Sequence, residues 1–376
     1  MLPQPLWPAP GETRIAEDPT LKYLSAVLMV REDCQVLREL DELREMGWQS
    51  GTMHEHFEHQ RYQNDDNKQN NTNWFWPNKV YKSMQDMDLA GRFVVANRFL
   101  DIGCFSGGYS SYVMHACPKA TGMGISLPVE DGGLSVMVPE DLLPRIDLVM
   151  HDHMTYDLTT PTSILNPDKR RLSALPFKPH TFDFVICSGS HIRPTPDSVR
   201  RPWDWTRLMI SQLLLGLRAI GGGGTMFIKL SHVERPLTAR ILLALCRITN
   251  HVRTIKSWVI HRSRASFYVL AQGVRTSCKE YTELVSGLER LWYILNFEGE
   301  GYGREITWEE QDNVTPWNEV MSPLGVLCIV RLGTKVWQTQ RDGLRQFLEW
   351  KGVNTTANWR EKEAVASDGR GIMASV

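Results

Sequence analysis

The sequence predicts a mostly parallel, doubly wound α/β sheet, and three observations carry that reading. Apolar strand-like runs alternate with amphipathic helical runs along residues 74–274. The stretch FLDIGCFSGGYSSYV, Phe99 to Val113, reads as a buried strand reaching Asp101, a glycine-rich turn, and the start of a helix. Four glycines, Gly221 to Gly224, end a long amphipathic pattern and precede the apolar run Thr225–Leu230.

The elements follow in order. Residues 1–19 are proline-rich and irregular, and apolar residues three and four apart from Thr20 to Met46 predict one or two amphipathic helices. Residues 50–73, closing with NDDNKQNNTN, read as a polar linker. A helix near Lys79–Met87 precedes strand Phe99–Ile102; helix Ser110–Ala116 leads to strand Ala120–Ile125, and strand Ile146–Met150 ends at His151 and Asp152. After a Pro-rich and basic connection come strand Phe182–Cys187, helix Trp205–Ile220, strand Thr225–Leu230 and a helix around Leu237–Cys246. Strands Thr254–Val259 and Ser266–Ala271 are close enough in sequence to form an antiparallel edge hairpin. Beyond Val274 we expect a helix at Tyr281–Leu295, a loop at Gly299–Asn318, a strand at Gly325–Leu332 and a short helix at Asp342–Trp350. The organisation is therefore an N-terminal helical extension and linker (1–73), a central α/β domain (74–274) and a C-terminal accessory region (275–376).

Composition narrows the function. The 42 Lys and Arg against 43 Asp and Glu leave a net charge of −1, so no overall basic excess marks a nonspecific nucleic-acid binder. Seven cysteines at 34, 104, 117, 187, 246, 278 and 328 form no CxxC pair, which reads as reduced thiols rather than a zinc site or disulfide scaffold. His151 and His153 lack an evident third ligand, so no metal is expected. The N-terminus lacks a signal-peptide pattern and no window approaches a membrane span; the expectation is an intracellular protein, cytoplasmic or nuclear, with no membrane partner.

The glycine turn carries the chemistry. It is neither GxGxxG nor a phosphate loop ending in GK(S/T), because Tyr109 and Ser110 follow the glycines. The wording DxGCxxGGxS resembles the first motif of the RrmJ/FtsJ-like S-adenosylmethionine-dependent methyltransferases, which act on RNA ribose 2′-hydroxyls, and the resemblance covers about Trp74–Val274. It implies a Rossmann-like seven-stranded methyltransferase fold with the two extensions, and S-adenosylmethionine as cofactor. Gly103, Cys104, Gly107 and Gly108 would let backbone approach its methionine part, and Asp101 would orient the turn or accept from its ammonium. Ser126, in GMGISLPVE, stands where such enzymes place an acidic ribose contact, and offers one hydrogen bond where a carboxylate offers two oxygens. Asp152 matches the aspartate that accepts from the adenine amino group.

The family's Lys–Asp–Lys–Glu tetrad holds a lysine among carboxylates beside the hydroxyl. NKVYKSMQDMD places Lys82 at the first lysine, and GGGGTMFIKL places Lys229 at the central one. FDFVICSG puts Ser188 at the aspartate position, and SRASFYVL puts Ser266 at the glutamate position. His191, His232 and His261 each follow a strand on the expected site edge, where a base could stand. Arg193, Arg200, Arg201 and Arg207, with Lys169–Arg170–Arg171, could meet phosphate or carboxylate, or form an ordinary solvated surface. Trp308 and Trp317 could stack on bases, although packing of an extension onto the core is the commoner use. The leading expectation is O-methyl transfer to RNA ribose. The alternatives are a small-molecule acceptor, or a noncatalytic module that binds RNA or protein, with a protein partner at the C-terminal region.

Overall fold

The structure is a computed structural model, and it describes residues 19–50, 75–159, 172–190, 201–300 and 303–355. Seven strands form one sheet: β1 (Arg98–Ile102), β2 (Thr121–Ser126), β3 (Ile146–Met150), β4 (Phe182–Cys187), β5 (Ile220–Ser231), β6 (Thr249–Ile255) and β7 (Ser266–Val274). Their order is β3-β2-β1-β4-β5-β7-β6, with β7 antiparallel to both neighbours and the other pairings parallel. This is the Rossmann-like methyltransferase architecture, ending in the expected antiparallel pair.

Both faces of the sheet are covered, so its central strands carry apolar residues on both faces, Phe99 and Leu100 in β1 and Phe184 to Cys187 in β4. Side-chain alternation sends Phe99, Phe184, Phe227 and Tyr268 to one face, beneath helices α3 (Phe75–Gly91) and α4 (Gly108–Ala116). In α3, Val80, Met84 and Met87 form the buried stripe. The opposite face, with Leu100, Val185 and Ile228, belongs to a larger core built from α5 (Asp204–Ala219), α6 (Pro236–Ile248) and the extensions. The N-terminal extension contributes α1 (Pro19–Met29) and α2 (Gln35–Gln49), which bury Leu24, Leu28, Leu37, Leu40 and Leu43 in that core.

The C-terminal region adds α7 (Lys279–Phe297), the short α8 (Trp317–Val320) and the 28-residue α9 (Pro323–Trp350). The strand expected at Gly325–Leu332 is therefore the first part of a long helix. Ser322 caps it by accepting from the Gly325 N–H at 3.1 Å, and Pro323 occupies its first turn. The β-branched run is helical because Val326, Ile329, Val330, Val336 and Trp337 make one buried stripe at helical spacing. Two other boundaries move. β5 begins at Ile220, so the glycine run lies inside an irregular strand start, beside a register shift between Phe182 and Phe184. β6 spans Thr249–Ile255 rather than Thr254–Val259: it follows α6 directly, and Ser257 Oγ then accepts from the Val259 and Ile260 N–H groups in a turn. The polar linker and the proline-rich lead-in lie outside the described residues apart from their margins.

Trp308 and Trp317 flank the buried Arg240 guanidinium of α6, with ring centroids 4.3 and 4.9 Å from it. Arg240 also donates to the Thr315 carbonyl at 3.0 Å and to Asp312 at 2.5 Å. These tryptophans pack the C-terminal region onto the central domain.

Glu234, just past β5, joins both extensions to the sheet. Buried, it accepts from Arg44 of α2 at 2.9 Å and from the Trp337 indole of α9 at 3.1 Å, and it lies 3.2 Å from His232 Nδ1. Burial alone would raise its pKa, but the Arg44 charge and the His232 contact hold it well below the usual carboxylate range. Glu234→Ala strands Arg44 and the indole, and should cost about 3–5 kcal/mol in urea unfolding. Trp337→Phe removes one neutral donor and should lose about 1 kcal/mol of hydrogen bonding plus some packing. A Glu234→Ala loss under about 1 kcal/mol would contradict this junction.

Candidate active site

The carboxyl ends of β1, β2, β4 and β5 converge where ligands bind in open α/β sheets. β1 delivers Asp101, which is 1% exposed, into this region. One carboxylate oxygen accepts from Ser110 Oγ at 2.7 Å, and the other is buried with no hydrogen-bond partner among the described residues. Burial drives its pKa up to about 7, against the weaker opposing effect of Ser110. A buried acid with an oxygen left unpaired is rare and calls for a physical reason.

The turn after Asp101 is tied inward. Gly103 and Cys104 both donate their N–H groups to the Ile125 carbonyl, at 2.9 and 3.1 Å, locking the turn onto β2. Gly103 has φ +77°, and a Cβ there would stand 2.4 Å from Gly189 Cα, so the loops after β1 and β4 touch. Gly107 has φ +72° and lies under the Met137 carbonyl, 2.4 Å from where a Cβ would project. Gly108 opens α4 against Pro77 of α3. Of the four turn residues singled out by sequence, Gly103 is half-buried, while Cys104, Gly107 and Gly108 are buried. Their close approaches are made to this chain's own backbone.

Ser126 is buried at the end of β2, and its carbonyl accepts from the His151 N–H at 2.8 Å. Asp152 is half-buried and caps the turn His153–Thr155, accepting from the Met154 N–H at 2.9 Å. His151 pairs with Thr155 Oγ1 at 3.0 Å and packs on Tyr156. His153 is buried, with its ring against Gly189, whose N–H donates to Gln212 at 3.1 Å.

On the other side, Lys229 lies near the end of β5, opposite Tyr268 of β7. Ser266 faces Ser231 two residues further along, and Ser188 continues the β4 ladder with an N–H bond to the Ile102 carbonyl at 3.3 Å. Strand alternation places Ser188, Lys229 and Ser266 on the face that carries α3 and α4. Half-buried Lys229 donates to Ser190 Oγ at 2.7 Å, rather than to Ser188. Burial and the nearby Arg264 guanidinium lower its ammonium pKa to about 8.

The connection from β6 to β7 brings more cations. Buried Lys256 donates to the Arg264 and Ser266 carbonyls, both at 2.5 Å, so it fixes this connection over Lys229. His261, with φ +63°, is held neutral by burial and by Lys229, Arg264, Lys256 and Lys79. Burial and Arg235 lower His232 to about 4, leaving it neutral beside Glu234. Lys82 is exposed on α3, whereas Lys79, one turn earlier, is the α3 cation that acts on His261. Lys79 also lies 5.3 Å from the Phe75 ring centroid.

Sequence reading missed Lys79, Ser190 and Lys256. Lys79 was discoverable as the residue one helical turn before Lys82, and Ser190 as the second serine of the SGS run. Arg207 pairs with Asp204 at 3.1 Å, and Arg201 lies against Trp203. His191, Arg193, Arg200 and residues 169–171 lie outside the described residues. No group of three metal-ligating side chains occurs among the described residues, and no described helix is long and apolar enough to cross a membrane. A cavity of about 640 Å³ opens at the opposite, amino-end edge of the sheet, beside Arg98, Thr121, Asp147 and Lys178.

Asp101 makes stability depend on pH. Its pKa is near 3.8 when unfolded and about 7 when folded, so between those values the folded chain keeps a proton that the unfolded chain releases. The stabilisation from that proton is complete below pH 4, falls as pH rises through the window, and is gone above about pH 7. Asp101→Asn should therefore gain in melting temperature relative to wild type as pH rises from about 4 to about 7, and keep that gain above. A difference between the two proteins that is constant with pH would contradict this reading.

A profile of FtsJ-like methyltransferases matches residues 79–274, slightly more than half of the chain. No curated protein sequence matches the chain. Among solved structures, one described as a ribosomal RNA methyltransferase from Plasmodium falciparum is 19% identical, with a TM-score of 0.36, covering 52% of this chain and 96% of that one. A structure described as a spermidine synthase from Corynebacterium glutamicum is 13% identical, with a TM-score of 0.31, covering 64% and 77%. The pyocyanin biosynthetic protein PhzM is 16% identical, with a TM-score of 0.30, covering 52% and 54%. With its sheet order, glycine turn and profile match over the whole α/β domain, the chain belongs to the FtsJ-like methyltransferase family.

Proposed function

We propose that this chain transfers a methyl group from S-adenosylmethionine to a hydroxyl, with the ribose 2′-hydroxyl of RNA as acceptor. The observation that carries the reading is Lys229: a lysine beside the carboxyl end of β5, lowered to about 8 and bonded to Ser190. Functional sites are where such shifts concentrate.

The residues present fit the cofactor at two of its three ends. The unused oxygen of Asp101 suits the amino-acid ammonium, and a cation there would also relieve the buried carboxylate. Asp152, with one oxygen engaged by Met154, keeps another to accept from the adenine amino group. Ser126 offers the ribose one hydroxyl. Gly103 is the half-buried part of the turn, where backbone can lie against the methionine portion, while Cys104, Gly107 and Gly108 hold that turn from below. When bound, S-adenosylmethionine supplies an electrophilic methyl carbon.

Lys229 handles the proton. With a pKa of about 8 it is neutral in roughly one molecule in ten at pH 7 and about half of the molecules at pH 8. The neutral amine can accept the proton of an acceptor hydroxyl as that oxygen becomes nucleophilic. The resulting ammonium remains bonded to Ser190. Ser188 and Ser266, on the same face, can orient the acceptor by hydrogen bonds but cannot return Lys229 to an ordinary ammonium pKa, as carboxylates would. Exposed Phe75, Trp76 and Trp258, with Lys79 and Lys82, offer stacking surface and positive charge suited to a nucleic-acid strand.

A noncatalytic binding module is the second reading, favoured by the serines at 188 and 266 and by the burial of Cys104, Gly107 and Gly108. Labelled methyl donor with RNA, followed by nucleoside analysis, separates the readings. Wild type should yield 2′-O-methylated nucleoside at a rate that rises with pH and levels off above about 8. Lys229→Met should lose about 100-fold or more in rate while retaining cofactor binding. Label on a small molecule would replace RNA as acceptor. Cofactor binding without transfer to either class would support the binding module.

A further inference from the structure

Two cysteines from distant parts of the chain meet across the junction of the central domain and the C-terminal region. Cys246 lies in the last turn of α6, and Cys328 in the second turn of α9. Their sulfurs are 3.6 Å apart, and both side chains are half-buried, so a small reagent can reach them. A disulfide bond is about 2 Å long, so closure requires a sulfur movement of roughly 1.5 Å, within reach of side-chain rotation on two packed helices. All seven cysteines are thiols; of the other five, Cys34, Cys104 and Cys187 are buried, and burial raises each of those three. We propose that Cys246 and Cys328 form a redox pair, oxidised by a hydroperoxide to a disulfide that fastens α9 to α6.

The surroundings give the two sulfurs different roles. Either sulfur can donate in this contact, and Cys328 stands three residues before Arg331 on the same helix; the contact and the Arg331 charge lower its thiol pKa against the opposing effect of burial. Cys246 is shifted the other way and keeps its proton. With Arg331 one turn along its own helix, Cys328 is the nucleophile. Its thiolate attacks one peroxide oxygen, the O–O bond breaks, and hydroxide leaves with the electron pair, giving a sulfenic acid. The Cys246 sulfur then attacks the Cys328 sulfur; the S–S bond forms as the S–O bond breaks, and the Cys246 proton leaves with the departing hydroxide as water. Two thiols are oxidised and one peroxide is reduced, giving two waters in all once the Cys328 proton is counted.

The link would close a loop across 82 positions of sequence, restricting the unfolded chain and holding α9 to the sheet from which Glu234 also binds it. The pair rests on helix packing and is independent of which methyl acceptor the protein uses.

The full chain should be treated with hydrogen peroxide, alkylated, digested and examined by mass spectrometry, with and without dithiothreitol. A Cys246–Cys328 linked peptide, lighter by two hydrogens than its parts and lost on reduction, is the expected product. Its formation should raise the melting temperature by a few degrees. Cys246→Ser and Cys328→Ser should each abolish the link while melting like wild type in reductant. Cys246→Ser should instead leave a dimedone-reactive sulfenic acid at Cys328. The proposal is overturned if both thiols remain alkylatable under excess peroxide. Oxidation of either to sulfinic acid without a link, or preferential linkage of another pair, would overturn it equally.

Discussion

A single buried carboxylate sets how the molecule is assembled. Glu234 leaves β5 and binds α2 through Arg44 and α9 through Trp337, with His232 on its third side. Burying a carboxylate without partners is costly; with this set it becomes the joint at which both extensions meet the sheet. The same short segment begins two residues after Lys229, so the layer that buries Glu234 also backs the strand carrying the proposed proton acceptor. Arg240, enclosed by Trp308 and Trp317, closes the C-terminal region over α6 in the same manner. Here the extensions build the core as well as decorating it.

Two other charges face opposite demands at the carboxyl edge. Asp101 is pushed up to about 7 and Lys229 down to about 8, each chiefly by burial. Among the described residues, Asp101 has an unpaired oxygen and no cation, and Lys229 has a serine and no carboxylate partner. Above about pH 7, burial of the Asp101 charge works against the fold, as burial of the Lys229 ammonium does. These are the two groups on which the proposed cofactor binding and proton transfer rest. At one end, a buried carboxyl keeps one oxygen without a partner among the described residues. At the other, burial and the Arg264 guanidinium lower the Lys229 ammonium to about 8.

The sheet was legible because strand ends and helix stripes are local patterns: Phe99–Ile102, Phe182–Cys187 and the α5 stripe each announce themselves within a few residues. The places of Asp101 and Lys229 on their strands, and the antiparallel pairing at the sheet edge, were readable for the same reason, helped by the family resemblance. Gly325–Leu332 was misread because its β-branched content is local, while its burial stripe extends to Leu348 and takes its meaning from α2 and α6. Glu234 carries no signal, since Arg44 lies 190 positions away and Trp337 lies 103. Lys79 and Ser190 were missed by small displacements, one helical turn and two loop residues, that depend on how α3 and the β4 loop settle. The burial of Gly107 beneath Met137 was also hidden, because a glycine turn has the same spelling whether a ligand or the chain itself approaches it.

The central claim is that the cofactor end of the site works although the tetrad carboxylates are gone. Calorimetric titration of the whole chain with S-adenosylhomocysteine tests it most directly, since product binding requires no acceptor and no chemistry. Saturable one-to-one binding is the result this account expects. Absence of binding by correctly folded protein, with or without RNA present, would contradict it and leave a methyltransferase fold used for another purpose.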